Sequence, residues 1–223
     1  DKGPTEITEV TSPSEFVRLY GEPSSDTPSK LVALRFLRTA NRLKVYRVVV
    51  DAVVASAVVS DSSDIETFTV EASNPGSWGN DLSVIANETN QSEVFRLTVR
   101  SEGINLETFE VSKNSNLKDG FGQTLYIEDV VNNRSDLIRV IDDASNSNDP
   151  SFGEEFTLIG GSDDTAAPTS SEIVTGWNNF SNPQEVDVDI LINAGWTSEE
   201  VQTEMVTIAE NRRDCVAVLD VPE

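Results

Sequence analysis

From Glu66 to Val111 the apolar side chains return at every second position. "ETFTVEA" carries Phe68, Val70 and Ala72, and "DLSVIAN" carries Leu82, Val84 and Ala86. "VFRLTVRSE" adds Phe95, Leu97 and Val99, and "NLETFEVS" adds Phe109 and Val111. A strand turns successive side chains to opposite faces, so this spacing gives one apolar face and one wetted face. Turn residues separate the runs. The stretch predicts antiparallel strands over a core, because strands of an all-parallel sheet are apolar on both faces. Beyond it, "LYIEDVVNNRSD" predicts a short helix and "LIRVID" a last strand. A loop rich in Asn, Ser, Asp and Gly, 142–155, then leads into "FTLIGG".

The flanks follow a different rule. Ser12-Pro13-Ser14-Glu15 is a capping box with Pro at the first helical position, and Gly21 closes the helix it opens. "PSKLVALRFLRTAN" places Leu31, Leu34 and Leu37 at helical spacing, with an end expected near Asn41. "LKVYRVVV", Leu43 to Val50, is β-branched and too short for a helix, so it predicts a strand buried on both faces. Near the other end, Thr169–Glu172 and Thr197–Glu200 are two more capping boxes. "EVDVDILINAG" lies between them and "DCVAVLD" follows, giving a strand, helix, strand βαβ unit.

These patterns predict an α+β or α/β chain of two parts. Residues 1–52 and 160–223 are expected to form one discontinuous α/β core, a mixed sheet that includes Leu43–Val50 and the βαβ unit. Residues 65–158 are expected to form a β-rich antiparallel domain inserted into it, with the small and polar 51–65 as a connection.

Composition removes most familiar chemistry. The 223 residues contain no His and one Cys. Ser-His-Asp and Cys-His catalysis, His-ligated zinc and an intrachain disulfide are therefore excluded. Cys215, inside "DCVAVLD", reads as a small buried hydrophobe. The net charge of −23 argues against nucleic acid or an anionic membrane as partner, and no apolar run is long enough for membrane insertion. The charge is uneven, since residues 1–50 hold eight Lys/Arg against six Asp/Glu. That segment is expected to face either its own chain or a neighbour, or else to present solvated basic faces. The start, "DKGPTEITEV", has neither an initiator Met nor a leader pattern, and is expected to be an internal boundary.

Several motifs invite a site and each has a plainer reading. Glu185, Asp187 and Asp189 would share a strand face and could hold Mg²⁺ or Ca²⁺, but a charged strand edge is the simpler account. Asp142-Asp143 and Asp163-Asp164 lack EF-hand spacing and read as loop acids. "GFG", Gly120 to Gly122, and "IGG", Ile159 to Gly161, match no phosphate-binding fingerprint and read as turns. Asn87-Glu88-Thr89 is a glycosylation sequon without a secretion signal to give it meaning. Trp78 stands between turn glycines in "NPGSWGNDLSV", where it either plugs the end of a β-layer or stacks on sugar, as Trp177 also could. A paired-carboxylate hydrolase is the third class, although no pair stands out. The expectation is a protein that is not an enzyme, with no catalytic, cofactor-binding or metal residue.

Five segments, in order, resemble the tail sheath proteins of contractile bacteriophages. "GPTEITEVTSPSEFVRLYGEP" is similar to their opening, a Gly-Pro entry before a capped helix ending in F/Y-G-x-P. "NPGSWGNDLSV" resembles their turn into a β-strand. "VFRLTVRSEGINLETFEVSKNS", followed by "LYIEDVVNNRSDLIRV", resembles a sheath strand pair running into an I-x-D-x-(V/I)-N segment and a closing strand. "TLIGGSDD" and "ENRRDCVAVLDVP" are similar to a Gly-Gly-x-Asp loop and to an R-x-D-C strand ending in Pro. The resemblance implies a structural subunit without cofactor, polymerised with itself around a tail tube and bounded by baseplate and tail terminator proteins. It implies a virion component assembled in the host cytoplasm, whose contraction drives genome ejection. It also implies a fragment lacking the N- and C-terminal arms of the full protein. Sheaths of type VI secretion systems and tailocins share these features. In that reading Asn74-Pro75-Gly76 makes the turn, Gly79 admits close backbone approach and Trp78 packs between layers.

Overall fold

The computed structural model describes residues 2–24 and 27–220. The chain divides into two compact units, one of residues 52–163 and the other of residues 2–51 with 164–223. It is a mixed α/β protein with several small sheets, most of them antiparallel.

The chain enters the second of these units through β1 (Thr8–Val10), α1 (Pro13–Tyr20), α2 (Pro28–Leu37) and β2 (Leu43–Val45). At α1 the Ser12 hydroxyl accepts from Glu15 N at 3.2 Å. The Glu15 carboxylate reaches one residue past the cap, to Thr11 N and its hydroxyl, both at 2.8 Å. Gly21 ends the helix at φ +81°, a conformation that favours glycine. Val10, Phe16, Tyr20 and Leu37 form the core of this part, with the two rings stacked at 5.1 Å.

β2 departs from expectation. It pairs antiparallel with β1, Val10 opposite Leu43, and ends at Val45, and its residues are half-buried. The apolar run promised a central parallel strand, but Val48 leaves the ladder to pack against α4 (Ser170–Asn178), where Gly176 leaves room for it. The short β1 carried no apolar period and could not be anticipated.

Residues 52–163 contain β3 (Ser56–Ser60), β4 (Glu66–Ala72), β5 (Leu82–Glu88), β6 (Phe95–Ser101), β7 (Ile104–Val111), α3 (Ile127–Arg134), β8 (Ile138–Asp142) and β9 (Glu155–Thr157). Two antiparallel sheets result, ordered β3-β4-β8 and β7-β6-β5-β9. The alternation does what the pleat requires: Phe68, Val70, Leu82, Val84, Phe95, Leu97 and Val99 all face one core and are at most 3% exposed. Phe68 and Phe95 stack at 6.3 Å, and α3 adds Ile127, Val130 and Val131. Burying each such large side chain stabilises by about 1.5–3 kcal/mol. The expected connection over 51–65 instead holds β3, which pairs with β4 in register Val58 to Thr69. Its Ala and Ser residues disguised it, because small side chains give little hydrophobic contrast.

A tight junction closes this unit. Ala55 N–H and C=O groups lie amid a ladder in which Ala72 N donates to Ala55 O at 2.8 Å and Gly76 N to Val53 O at 3.1 Å. A single 3-10 turn, Ser77–Asp81, follows Gly76, which sits at φ +139°. A Cβ on Gly79 would lie 2.7 Å from the Ala72 Cβ and 2.8 Å from the Ala55 Cβ. Trp78 packs half-buried on the same core.

The remainder of the other unit comprises α4, β10 (Ile190–Ile192), α5 (Glu199–Arg212) and β11 (Val216–Val218). β10 and β11 pair in parallel around α5, so the βαβ unit is present, but β10 has three residues rather than the length of "EVDVDILINAG". Asn182 holds the preceding segment as a turn, accepting from Gln184 N on its side chain and from Val186 N on its carbonyl. Leu43–Val50 is not part of this sheet. Thr169 forms a complete capping box with Glu172. At α5 the cap falls on Ser198 rather than Thr197, and the Ser198 hydroxyl accepts from Ser170 at 2.9 Å instead of capping the helix.

The junction makes a graded prediction. Gly79→Ala should lose about 1–3 kcal/mol by forced overpacking. Gly120→Ala, where an added Cβ meets nothing within 4 Å, should stay within about 0.5 kcal/mol of wild type. Urea denaturation of the two variants side by side checks the difference.

Candidate functional site

The acidic trio does not form a strand face. Glu185 lies in the Asn182 turn, and Asp187 and Asp189 precede β10. Asp187 accepts from Arg42 at 3.0 Å, an arginine that also binds Glu9 at 3.0 Å. Among the described residues no group of three or more Cys, Asp or Glu is placed to hold a metal ion. Among the described residues no helix is long and apolar enough to cross a membrane.

The remaining motif residues serve local structure. Asp143 accepts from the Ser145 hydroxyl at 2.7 Å and from Ser145 N at 2.9 Å, and these bonds, the hydroxyl's first, hold its carboxyl below the usual range. Asp163 accepts from Ser77 N and its hydroxyl at 3.1 and 2.6 Å, holding the 3-10 turn. Asp164 accepts from Val50 N and Asp51 N at 2.9 and 2.7 Å. At the Gly120–Gly122 turn, Asp119 accepts from Phe121 N and Gln123 N, which holds Phe121 out at 94% exposure. Gly161 exchanges two 2.8 Å bonds with the Asn80 side chain, and a Cβ there would stand 2.6 Å from Gly76 O. Asn87 lies exposed at the end of β5. Trp177 packs on Phe180, ring centroids 5.6 Å apart, so both tryptophans are engaged by the protein's own cores. Cys215 is half-buried beside β11, and burial pushes its thiol up. Pro222, the end of the last sheath-like segment, lies outside the described residues.

Asp142 is not the loop acid expected but ends β8 in a buried ion pair, one of two buried charge clusters whose partners the sequence did not reveal. Lys113 and Asp142 form an ion pair at 2.7 Å with side chains 5% and 4% exposed. The ammonium also donates to Thr67 O and, at 3.4 Å, to Asp143 O. The second Asp142 oxygen accepts from the Tyr126 hydroxyl at 3.1 Å, and Glu128 accepts from Asp142 N at 2.7 Å. Burial, then the Asp142 carboxylate, push the Tyr126 phenol upward. The network ties the segment after β7 to β4, α3 and β8. A Lys two residues after the last apolar residue of the alternating run, Val111, was its one visible signal. In the other unit Arg212 is buried, grips Asp214 through two bonds of 2.9 and 3.0 Å, and donates to the carbonyls of Phe180 and Val186. The R-x-D spacing in "NRRDC" was its only trace.

One apolar sheet face is exposed. β10 and β11 form a sheet of two strands with Leu191 packed on α5, while Ile190, Val216 and Val218 on its other face are 46%, 60% and 52% exposed. Parallel strands are ordinarily covered on both faces.

Solved structures share this architecture. A sheath tail protein from Listeria innocua aligns with a TM-score of 0.63 and 17% identity, over 96% of this chain and 42% of that one. A sheath tail protein from Desulfitobacterium hafniense aligns with a TM-score of 0.56 and 18% identity, over 96% and 44%. No protein-family pattern and no curated protein matches the sequence. The chain has the fold of sheath tail proteins, and it spans about two fifths of the length of those it matches.

The buried pairs give two measurable outcomes. Lys113→Met should cost about 3–5 kcal/mol, since it strands a buried carboxylate, and Lys113→Met with Asp142→Leu should recover most of that loss in chemical denaturation. The Arg212 guanidinium holds the Asp214 carboxyl below its usual range. A depressed carboxyl contributes stability that is complete above its unfolded value, about pH 4, and is lost as pH falls through the folded value. Melting curves from pH 5 downward should therefore fall less steeply for Asp214→Asn than for wild type.

Proposed function

We propose that the chain is part of a structural subunit of a contractile bacteriophage tail sheath. The observation that carries this reading is the match to sheath tail proteins across 96% of the chain. The engagement of the motif residues in turns, caps and ion pairs supports a mechanical rather than a catalytic role.

In this role copies stack around a tail tube between a baseplate and a terminator, as a virion component assembled in the host cytoplasm. The subunit carries no catalytic residue, cofactor or metal. Contraction is a rigid-body shift of subunits between two packings, which drives the tube through the host envelope for genome ejection. Residues 65–158 act as a domain inserted into an α/β core built from 1–52 and 160–223, and the rest of that core and its arms belong to a longer chain. The uncovered β10–β11 sheet supports association through strands, since added strands contribute rows of main-chain hydrogen bonds.

Negative-stain microscopy tests the proposal. The longer chain should form striated tubes, whereas residues 1–223 alone should sediment as a monomer, their acidic surfaces repelling and their partner strands missing. A longer chain that stays dispersed under all assembly conditions would remove the sheath reading, as would a type VI or tailocin tube partner for those alternatives.

A further inference from the structure

The buried Lys113–Asp142 contact is closer than its hydrogen bonding explains. Lys113 Nζ stands 2.7 Å from Asp142 Oδ1, with the two side chains 5% and 4% exposed. The nitrogen donates to Thr67 O and, at 3.4 Å, to Asp143 O. Asp142 Oδ1 has no aligned hydrogen-bond donor among the described residues, so the nitrogen approaches it from an angle outside hydrogen bonding. The other carboxyl oxygen, Oδ2, accepts from the Tyr126 hydroxyl at 3.1 Å. The surroundings are dry. Phe68, across the ladder from Asp142 on β4, and Val111, two residues before Lys113, are wholly buried.

This geometry suits a neutral amine. An ammonium has three N–H bonds and no lone pair, whereas an amine has two N–H bonds and one lone pair. Two carbonyls take two N–H bonds here, and the third neighbour of the nitrogen is the Asp142 carboxyl. One proton passing from the ammonium to the carboxylate leaves an amine facing a carboxylic acid. It also removes two charges that are costly to bury. Groups held in contact react far faster than the same groups free in solution.

We propose that Lys113 and Asp142 are the site of an intramolecular isopeptide bond, closed by the folded chain itself. The Nζ lone pair attacks Asp142 Cγ, and a C–N bond forms. The nitrogen gives up one proton, and the departing Oδ2 hydroxyl takes one from the Tyr126 hydroxyl, which is reprotonated from the nitrogen. The Cγ–Oδ2 bond breaks, water leaves, and Oδ1 remains as the amide carbonyl. An ammonium and a carboxylate thus become one amide and one water, with nothing oxidised or reduced. The ion pair is the form that precedes closure, and the denaturation comparison of Lys113→Met refers to that form. The bond ties the segment after β7 to the end of β8 and closes a covalent ring around α3. It rests on this contact alone and stands apart from the sheath reading.

Mass spectrometry of the purified chain, incubated in its folded state, tests the bond. Wild type should become lighter than its sequence by one water. Trypsin should then fail to cut after Lys113 and release a branched peptide joining Lys113 to Asp142. Lys113→Arg and Asp142→Leu should each keep the full sequence mass, and Tyr126→Phe should close the bond about tenfold or more slowly. Asp119-Gly120 can also lose water, by ring closure onto its own backbone, so the peptide map decides rather than the mass alone. The wild-type map needs no variant, and it settles the matter even where a variant misfolds. Wild type that keeps its full mass would overturn the bond, as would a missing water that maps to Asp119-Gly120 while trypsin still cuts after Lys113. A folded Tyr126→Phe chain that closes at the wild-type rate would overturn the proton route.

Discussion

Ala55 is the point on which residues 52–163 close. The backbone there accepts from Ala72, while Val53 and Ser162 exchange hydrogen bonds of 2.9 and 3.1 Å just before it. Gly79 and Gly161 both come within 3 Å of its methyl group if given a Cβ of their own. Three separate segments thus converge where only small side chains fit. The position of the 3-10 turn follows from that contact, and with it the entry angle of β5 and the seat of Trp78 on the core. A Trp between turn residues is therefore a lid on a small-residue junction. Its large area is buried at little extra entropy, because the turn already fixes its backbone.

The sequence was clearest where side-chain contrast was greatest. β4, β5, β6 and β7 alternate large apolar with polar residues, and their antiparallel pairing follows from that alone. Helix starts were also clear at Ser12 and Thr169, whose hydroxyls have a definite bonding task. Contrast was missing in β3, Ser-Ala-Val-Val-Ser, and misleading in Leu43–Val50, where Leu43 and Val45 pack on the Phe16 and Tyr20 cluster and Val48 packs against α4 instead of lining a central strand. Thr197 and Ser198 show a further limit: the cap position falls on Ser198, but its hydroxyl is taken by Ser170, distant in sequence, and makes no cap bond. The Lys113–Asp142 pair was hidden for the same reason, because its partners are brought together only by the fold.

The proposed sheath role draws its support from architecture. The chain folds into small, mostly antiparallel sheets, aligns with sheath tail proteins over 96% of its length, and leaves Ile190, Val216 and Val218 exposed on one face of β10 and β11.

Amide hydrogen exchange of the longer chain, dispersed and then assembled, tests this account most directly. The account predicts that assembly slows exchange in unit residues 2–51 and 164–223, at the open edges of β10 and β11 above all, while the already protected β4, β5 and β6 change little. Unchanged exchange at β10 and β11, with new protection confined to the β-rich residues 52–163, would contradict it.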